Sequence, residues 1–125
     1  MLYGRLSMRT TLGDFEVLLL LSLVRLKEEA YGASIHREIE ARTGRSIPIG
    51  AIYTGLARLT AGAYITAHVG EPTPQRGGRR RKYYHLESSG ALALTESLEA
   101  LRGMTAGVEK ELEVLASDCR TEGAS

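Results

Sequence analysis

From Leu12 to Leu26 apolar side chains cover nearly the whole circumference of a helix: Phe15, Leu19, Leu23 and Leu26 share one face, while Val17, Leu18, Leu20, Leu21 and Val24 fill most of the rest. A helix apolar nearly all round must be covered on more than one side. Either a second subunit or the chain's own last helix supplies the second cover, and the frequency of symmetric pairs favours the subunit. After Ala30-Tyr31-Gly32 the pattern predicts a second helix over 33–43, with Ile35 and Ile39 on one stripe and Gly44 as its stop. A third helix is predicted over 48–60, where Ile49, Ile52, Leu56 and Leu59 form an inner face. Ser46 ahead of it suits a cap, and Pro48 suits the first turn. Its outer face holds Gly50, Ala51, Thr54, Gly55 and Arg58, with Tyr53 on the border.

The period then changes. Tyr64 to Gly70 is rich in strand formers, Pro72, Pro74, Gly77 and Gly78 interrupt it, and Arg79 to Leu86 resumes, which predicts a β-hairpin. From Ser88 to about Ser117 a helix is expected, with Leu94, Leu98, Leu101, Thr105, Val108, Leu112 and Leu115 spaced by 4 and 3 as a heptad-like seam. Gly103 and Gly107 weaken its middle, where a bend or break is expected. The order helix, helix, turn, helix, hairpin is a winged helix-turn-helix, so the expected class is mainly α with a small β-hairpin (α+β). The expected organisation is a flexible tail at 1–10, a winged helix-turn-helix at 11–87, a dimerisation helix at 88–117 and a flexible tail at 118–125. Leu18, Leu21, Leu94, Leu98, Leu101, Val108, Leu112 and Leu115 are the candidate dimerisation residues. The competing reading of the seam is a helix folded back on its own domain.

Charge sharpens this picture through its distribution. The net charge of the chain is only +1. Residues 1–85, however, carry 13 of 16 Lys and Arg but 7 of 15 Asp and Glu, a net of +6. Residues 86–125 carry 3 and 8, a net of −5. A basic body with an acidic tail points to a polyanion as partner. The single cysteine, Cys119, excludes an internal disulfide and fits a reducing cytoplasm. Val17 to Val24 is too short for a membrane span, which takes about 20 apolar residues. The stretch also starts too late, behind Asp14 and Glu16, for a signal peptide.

The positive charge concentrates in Arg76-Gly77-Gly78-Arg79-Arg80-Arg81-Lys82, with five cations in seven positions. Planar guanidinium groups match phosphate oxygens, and glycines let the backbone approach them. A strand sends neighbouring side chains to opposite faces, so one DNA strand cannot meet all five. Arg76 and Arg79 are the first candidates, then Arg80 and Arg81; Tyr84 and Leu86 are expected to pack beneath the hairpin. The competing readings are a solvated loop and a basic sorting tag. Double-stranded DNA is the expected partner, with Ser46, Gly50, Ala51, Tyr53, Thr54 and Arg58 from the turn and third helix joining Arg76, Gly77, Gly78, Arg79, Arg80 and Arg81. His36, His68 and His85 show no metal-ligand spacing, and no phosphate loop or nucleophile motif is present, so neither an enzyme, a metal nor a cofactor is expected. A leucine- and valine-lined pocket between the first helix and a partner's last helix could take a small-molecule effector, which the residues do not identify. The alternative function is a winged-helix protein-interaction module that dimerises without binding DNA.

These residues resemble the PadR family of bacterial transcriptional regulators. The resemblance rests on Leu12-Gly13-Asp14-Phe15-Glu16, Ala30-Tyr31-Gly32-Ala33, Ile49-Gly50-Ala51-Ile52-Tyr53 with Leu56 and Arg58-Leu59, Gly70-Glu71-Pro72, and Gly77-Gly78-Arg79 leading into Lys82-Tyr83-Tyr84-His85-Leu86, over about residues 11–103. The single C-terminal helix is similar to the smaller subfamily. The resemblance implies a homodimer, joined through the first and last helices, that represses transcription from a palindromic operator. It also implies that Tyr53 contacts the DNA backbone and that the glycine-flanked arginines form the wing. Two positions depart from the family pattern. Where the family has Arg-Leu-Glu-x-x-Gly, Arg58-Leu59 is followed by Thr60-Ala61-Gly62-Ala63, so the glycine comes one position early. Where it has Leu-Thr-x-x-Gly, this chain has Leu86-Glu87-Ser88-Ser89-Gly90, which makes Ser88 the expected cap of the last helix.

Overall fold

The near-continuous apolar run of the first helix is explained by its place at the centre of the domain. A computed structural model of the chain describes residues 12–71 and 80–124. Helix α1 (Asp14–Leu26) is followed by a 3-10 turn (Lys27–Glu29), α2 (Gly32–Thr43), α3 (Ile49–Ala61), β1 (Ile65–Val69), β2 (Lys82–Leu86), α4 (Ser88–Thr105) and α5 (Glu109–Ala124). The chain folds as a winged helix-turn-helix, mainly helical with a two-stranded antiparallel sheet. Helix α1 packs on α2, α3, α4 and β2 at once. Its Leu19 and Leu20 are fully buried, and Leu23 nearly so. Around them lie Ile35 and Ile39 of α2, Ile52, Leu56 and Leu59 of α3, Ile65 and Tyr84 of the hairpin, and Leu94 of α4. Each such side chain contributes about 1.5–3 kcal/mol by leaving water. The chain itself therefore covers most of α1, leaving Leu18 and Leu21 half-buried and Val24 exposed.

Helix ends show where local chemistry decided and where it did not. Glu16 reaches back to accept the Gly13 N–H at 2.8 Å, and Ser34 Oγ accepts the Tyr31 N–H at 2.9 Å. Gly44 ends α2 in the left-handed region with φ 72°. Two expected caps are corrected. Pro48, not Ser46, stands at the N-cap of α3, and no side chain caps that helix. Glu87 takes the cap position of α4 ahead of Ser88, again with no side-chain cap bond. The serine next door is used instead: Ser89 Oγ donates to the Ala63 carbonyl at 2.6 Å.

That bond holds the tight turn that leaves α3. Gly62 sits at an ordinary φ of −82°, while Ala63 takes φ 65°. The glycine of the sequence is thus one residue away from the backbone position that favours glycine. Relief of an L-residue's left-handed cost, about 1–2 kcal/mol, exceeds the entropy that glycine returns to the unfolded chain, about 0.4–1 kcal/mol. Ala63→Gly is expected to raise stability by about 0.5–1 kcal/mol, read as a higher urea midpoint at unchanged slope.

The hairpin pairs Ile65 with Leu86, Ala67 with Tyr84 and Val69 with Lys82 on its inner face, and Thr66 with His85 and His68 with Tyr83 on its outer face. Tyr31 adds an isolated bridge to Tyr83, supported by the Tyr84 N–H donating to the Ala30 carbonyl at 2.9 Å. The last helix is interrupted, as its glycines suggested: α4 stops at Thr105, Gly107 takes φ 86°, and α5 begins at Glu109. Helix α5 runs to Ala124, beyond the end at Ser117 that the seam suggested and through most of the expected tail at 118–125.

Candidate nucleic-acid interface

The turn between α2 and α3 is braced at both ends. His36 Nε2 lies 2.6 Å from the Ile47 carbonyl oxygen, and Arg45 pairs with Asp14 of α1 at 2.7 Å. The Thr43 hydroxyl donates to the Ile39 carbonyl at 2.7 Å and accepts the Arg45 N–H at 3.1 Å. On the outer side of α2, Glu38 accepts bonds from Arg42 and Arg25. The Arg42 bond, with Arg25 adding to it, holds that carboxyl below the usual carboxylate range. The turn that leads into α3 is thus tied to α2 through His36 and Thr43 and to α1 through Arg45.

Helix α3 buries Ile52, Gly55, Leu56 and Leu59. Two positions differ from the periodic reading. Ile49 is 43% exposed, and half-buried Ile47 packs against the core in its place. Gly55 lies inside, where an added Cβ would stand 2.5 Å from Leu19 Cδ1 and 3.1 Å from Phe15 Cε2. The face that remains is Gly50, Tyr53, Thr54, Ala57, Arg58, Thr60 and Ala61, with Ala51 half-buried. Ser46 is exposed on the turn before it. The Tyr53 ring lies across Gly32 at the start of α2, where any Cβ would collide with the phenol. Tyr53 is thereby seated by two helices yet 48% exposed.

Between this face and β2 runs a cleft of about 500 Å³ lined by Tyr53, Ala57, Thr60, Ala61, Lys82 and Tyr84. The strand's alternation puts Lys82 and Tyr84 on this side, with Lys82 Nζ 6.0 Å from the Tyr84 ring centroid. Burial, and secondarily the neighbouring Tyr53, pushes the Tyr84 phenol above its ordinary pKa. Tyr84 is an internal anchor, as expected, while half-buried Leu86 packs against the same core. Lys82 is the cation that the candidate set omitted, and its even register with Tyr84 was the available signal.

The arginines divide accordingly. Arg80 is exposed. Arg81 points to the other face, its guanidinium carbon 3.8 Å from the centroid of the Tyr31 ring. Arg37 of α2 donates to the Tyr31 hydroxyl at 3.1 Å. Arg81 is thus stacked on an aromatic ring. Arg76, Gly77, Gly78 and Arg79, with Pro72 and Pro74, lie outside the described residues, as does the tail at 1–10.

The candidate dimerisation residues separate too. Leu94 is buried in the domain core at 5% exposure and is corrected to a core residue, with Leu98 packed beside it. Leu101, Val108, Leu112 and Leu115 are exposed, together with Met104. No group of three or more His, Cys, Asp or Glu that could hold a metal ion occurs among the described residues. None of the described helices is long and apolar enough to cross a membrane.

Comparison with known proteins agrees with this geometry. Residues 20–96 match the model of the transcriptional regulator PadR-like family. A PadR family transcription regulator from Clostridium difficile is 25% identical, with a TM-score of 0.67 over 80% of this chain and 99% of that one. A PadR-like transcription factor from Bacteroides fragilis is 27% identical, with a TM-score of 0.66 over 82% and 92%. A transcriptional regulator from Clostridium thermocellum is 25% identical, with a TM-score of 0.63 over 76% and 89%. No curated protein sequence matches the chain.

Proposed function

The chain belongs to the transcriptional regulator PadR-like family, and on that premise we propose that it is a sequence-specific repressor which binds a palindromic operator as a homodimer. The observation that carries the reading is the cleft between α3 and β2, where a smooth, barely charged helix face meets Lys82 across about 500 Å³. Small side chains on α3 let the helix enter a major groove, where Tyr53, Thr54 and Arg58 stand at the surface. Arg80 and Lys82, with Arg76 and Arg79 of the same run, then meet the flanking phosphates. Two copies place their third helices about 10 bp apart, one turn of duplex. Gly50, Ala51 and Ser46 set the approach of the helix start, where contact is mainly through backbone and small groups.

The direct test is a gel shift of the purified protein against the promoter of its own gene. A shift that a random duplex does not compete away supports the reading. Protein that dimerises but shifts neither fragment marks a protein-interaction module instead. Salt resolves the wing's part, since each neutralised phosphate contributes about 0.9 to the slope of log affinity against log salt. Arg80→Ala combined with Lys82→Ala is expected to flatten that slope by about 2 and to weaken binding to all sequences alike. An unchanged slope removes these two cations from the interface.

A further inference from the structure

The outer face of the hairpin, turned away from the cleft, carries two histidines that the proposed DNA interface does not use. Thr66 opposes His85 and His68 opposes Tyr83 in the register, so the two imidazoles meet diagonally across the strands. His85 Nε2 lies 3.0 Å from His68 Nδ1, with the rings 4.8 Å apart and 14° from parallel. Tyr83 lies stacked on His68 at 5.6 Å and 19°. Tyr83 is itself held edge-on by Tyr31 at 5.7 Å. Paired strands and an aromatic neighbour thus fix two ligating nitrogens side by side at an accessible surface.

We propose that His68 and His85 form a two-histidine site for a divalent late first-row cation of the Ni²⁺ or Cu²⁺ class, at the root of the wing. The donor set selects the class. Imidazole nitrogens about 2.1 Å from a metal lie about 3.0 Å apart when they subtend a right angle, and about 3.4 Å apart in a tetrahedron. At 3.0 Å the two nitrogens are hydrogen-bonded to each other, and a turn of each ring carries them to either spacing, so the donor set decides: two imidazoles completed by water suit tetragonal Ni²⁺ or Cu²⁺. In the empty pair one ring donates its proton to the other. On binding, the donor ring moves that proton to its second nitrogen, and both rings turn about Cβ–Cγ so that two lone pairs converge on the solvent side. Water fills the remaining positions. Glu87, whose carboxylate accepts from the Thr66 hydroxyl at 2.9 Å, brings a negative charge to the same end of the hairpin. The third histidine, His36, is held against the Ile47 carbonyl in the helix-turn-helix and serves as the internal control. A bound cation links β1 to β2 on the side opposite Lys82 and leaves the cleft open.

The test uses untagged full-length protein, NiCl₂, isothermal calorimetry and thermal melts. One nickel per chain is expected, with a melting temperature that rises with nickel and returns on adding EDTA. His68→Ala, and separately His85→Ala, are expected to weaken binding by at least about tenfold, the lower bound for losing even an outer-shell partner, and to abolish the thermal shift. His68→Gln, which retains most of the side-chain volume, is expected to do the same, whereas His36→Ala and Cys119→Ser keep wild-type binding. Wild-type protein that is silent at millimolar nickel overturns the proposal. So does wild-type nickel affinity in folded His68→Ala or His68→Gln.

Discussion

Gly55→Val is expected to destabilise the domain by about 3 kcal/mol, and Gly103→Ala to stabilise it by up to about 1 kcal/mol. Both glycines occupy helices, and helix propensity alone predicts a gain of about 1 kcal/mol at each for alanine. Surroundings reverse the sign at Gly55. An added Cβ there meets Leu19 Cδ1 at 2.5 Å, and Leu19 is fully buried in the core. Valine adds two methyl groups beyond that Cβ, so α3 must lift from α1 or the core must repack. Gly103 has nothing within 4 Å of an added Cβ, so only the propensity gain remains. Urea unfolding of the two variants beside the wild type checks both signs at once. Equal stabilities for Gly55→Val and wild type would mean that α3 is not seated on α1 as described.

Gly55 also shows why part of this fold was legible in sequence and part was not. Periodicity reports where large apolar side chains recur, so α1, α2, α3 and the core line Ile52, Leu56 and Leu59 could be read directly. A glycine is silent in that pattern, so spacing alone places Gly55 outward, whereas its value lies in close approach. Spacing alone places Ile49 inward, but it is exposed and Ile47 reaches the core instead. The same limit governed the caps. Ser46 and Ser88 have suitable chemistry, yet Pro48 and Glu87 hold the cap positions, and Ser89 is drawn to the carbonyl of Ala63, 26 residues away. In the wing, alternation implies that neighbouring cations split between faces, and the structure places Lys82 toward the cleft and Arg81 against Tyr31. Which face Arg81 joined depended on Tyr31, about 50 positions earlier, and no local pattern encodes that pairing. The two strands that flank the basic run were therefore legible, while the inward placement of Lys82 required the register of β2 against β1.

Leu112→Glu combined with Leu115→Glu is expected to convert the proposed dimer to a monomer and to weaken operator binding by about a thousandfold or more, towards the level of non-specific binding. The reasoning starts from exposure. Leu101 is 58% exposed, Leu112 60% and Leu115 61% in the single chain. Substitution there therefore changes the monomer's own stability by only about 0.5 kcal/mol. Helix α4 has already met the core through Leu94 and Leu98, so the back-folded reading of the seam holds for its first half. Beyond Leu101 the stripe continues over Met104, Val108, Leu112 and Leu115 with its apolar atoms in water. The helix breaks at Gly107, where φ is 86°, and in the proposed dimer this exposed half meets a second copy. Two carboxylates buried opposite their symmetry mates would face both desolvation and like-charge repulsion, which a dimer of this kind cannot absorb. Light scattering reads the mass, circular dichroism confirms that each chain stays folded, and a gel shift reads the operator. A variant that remains dimeric with wild-type affinity places the interface elsewhere, and Val24 of α1, 46% exposed, is then the next position to charge.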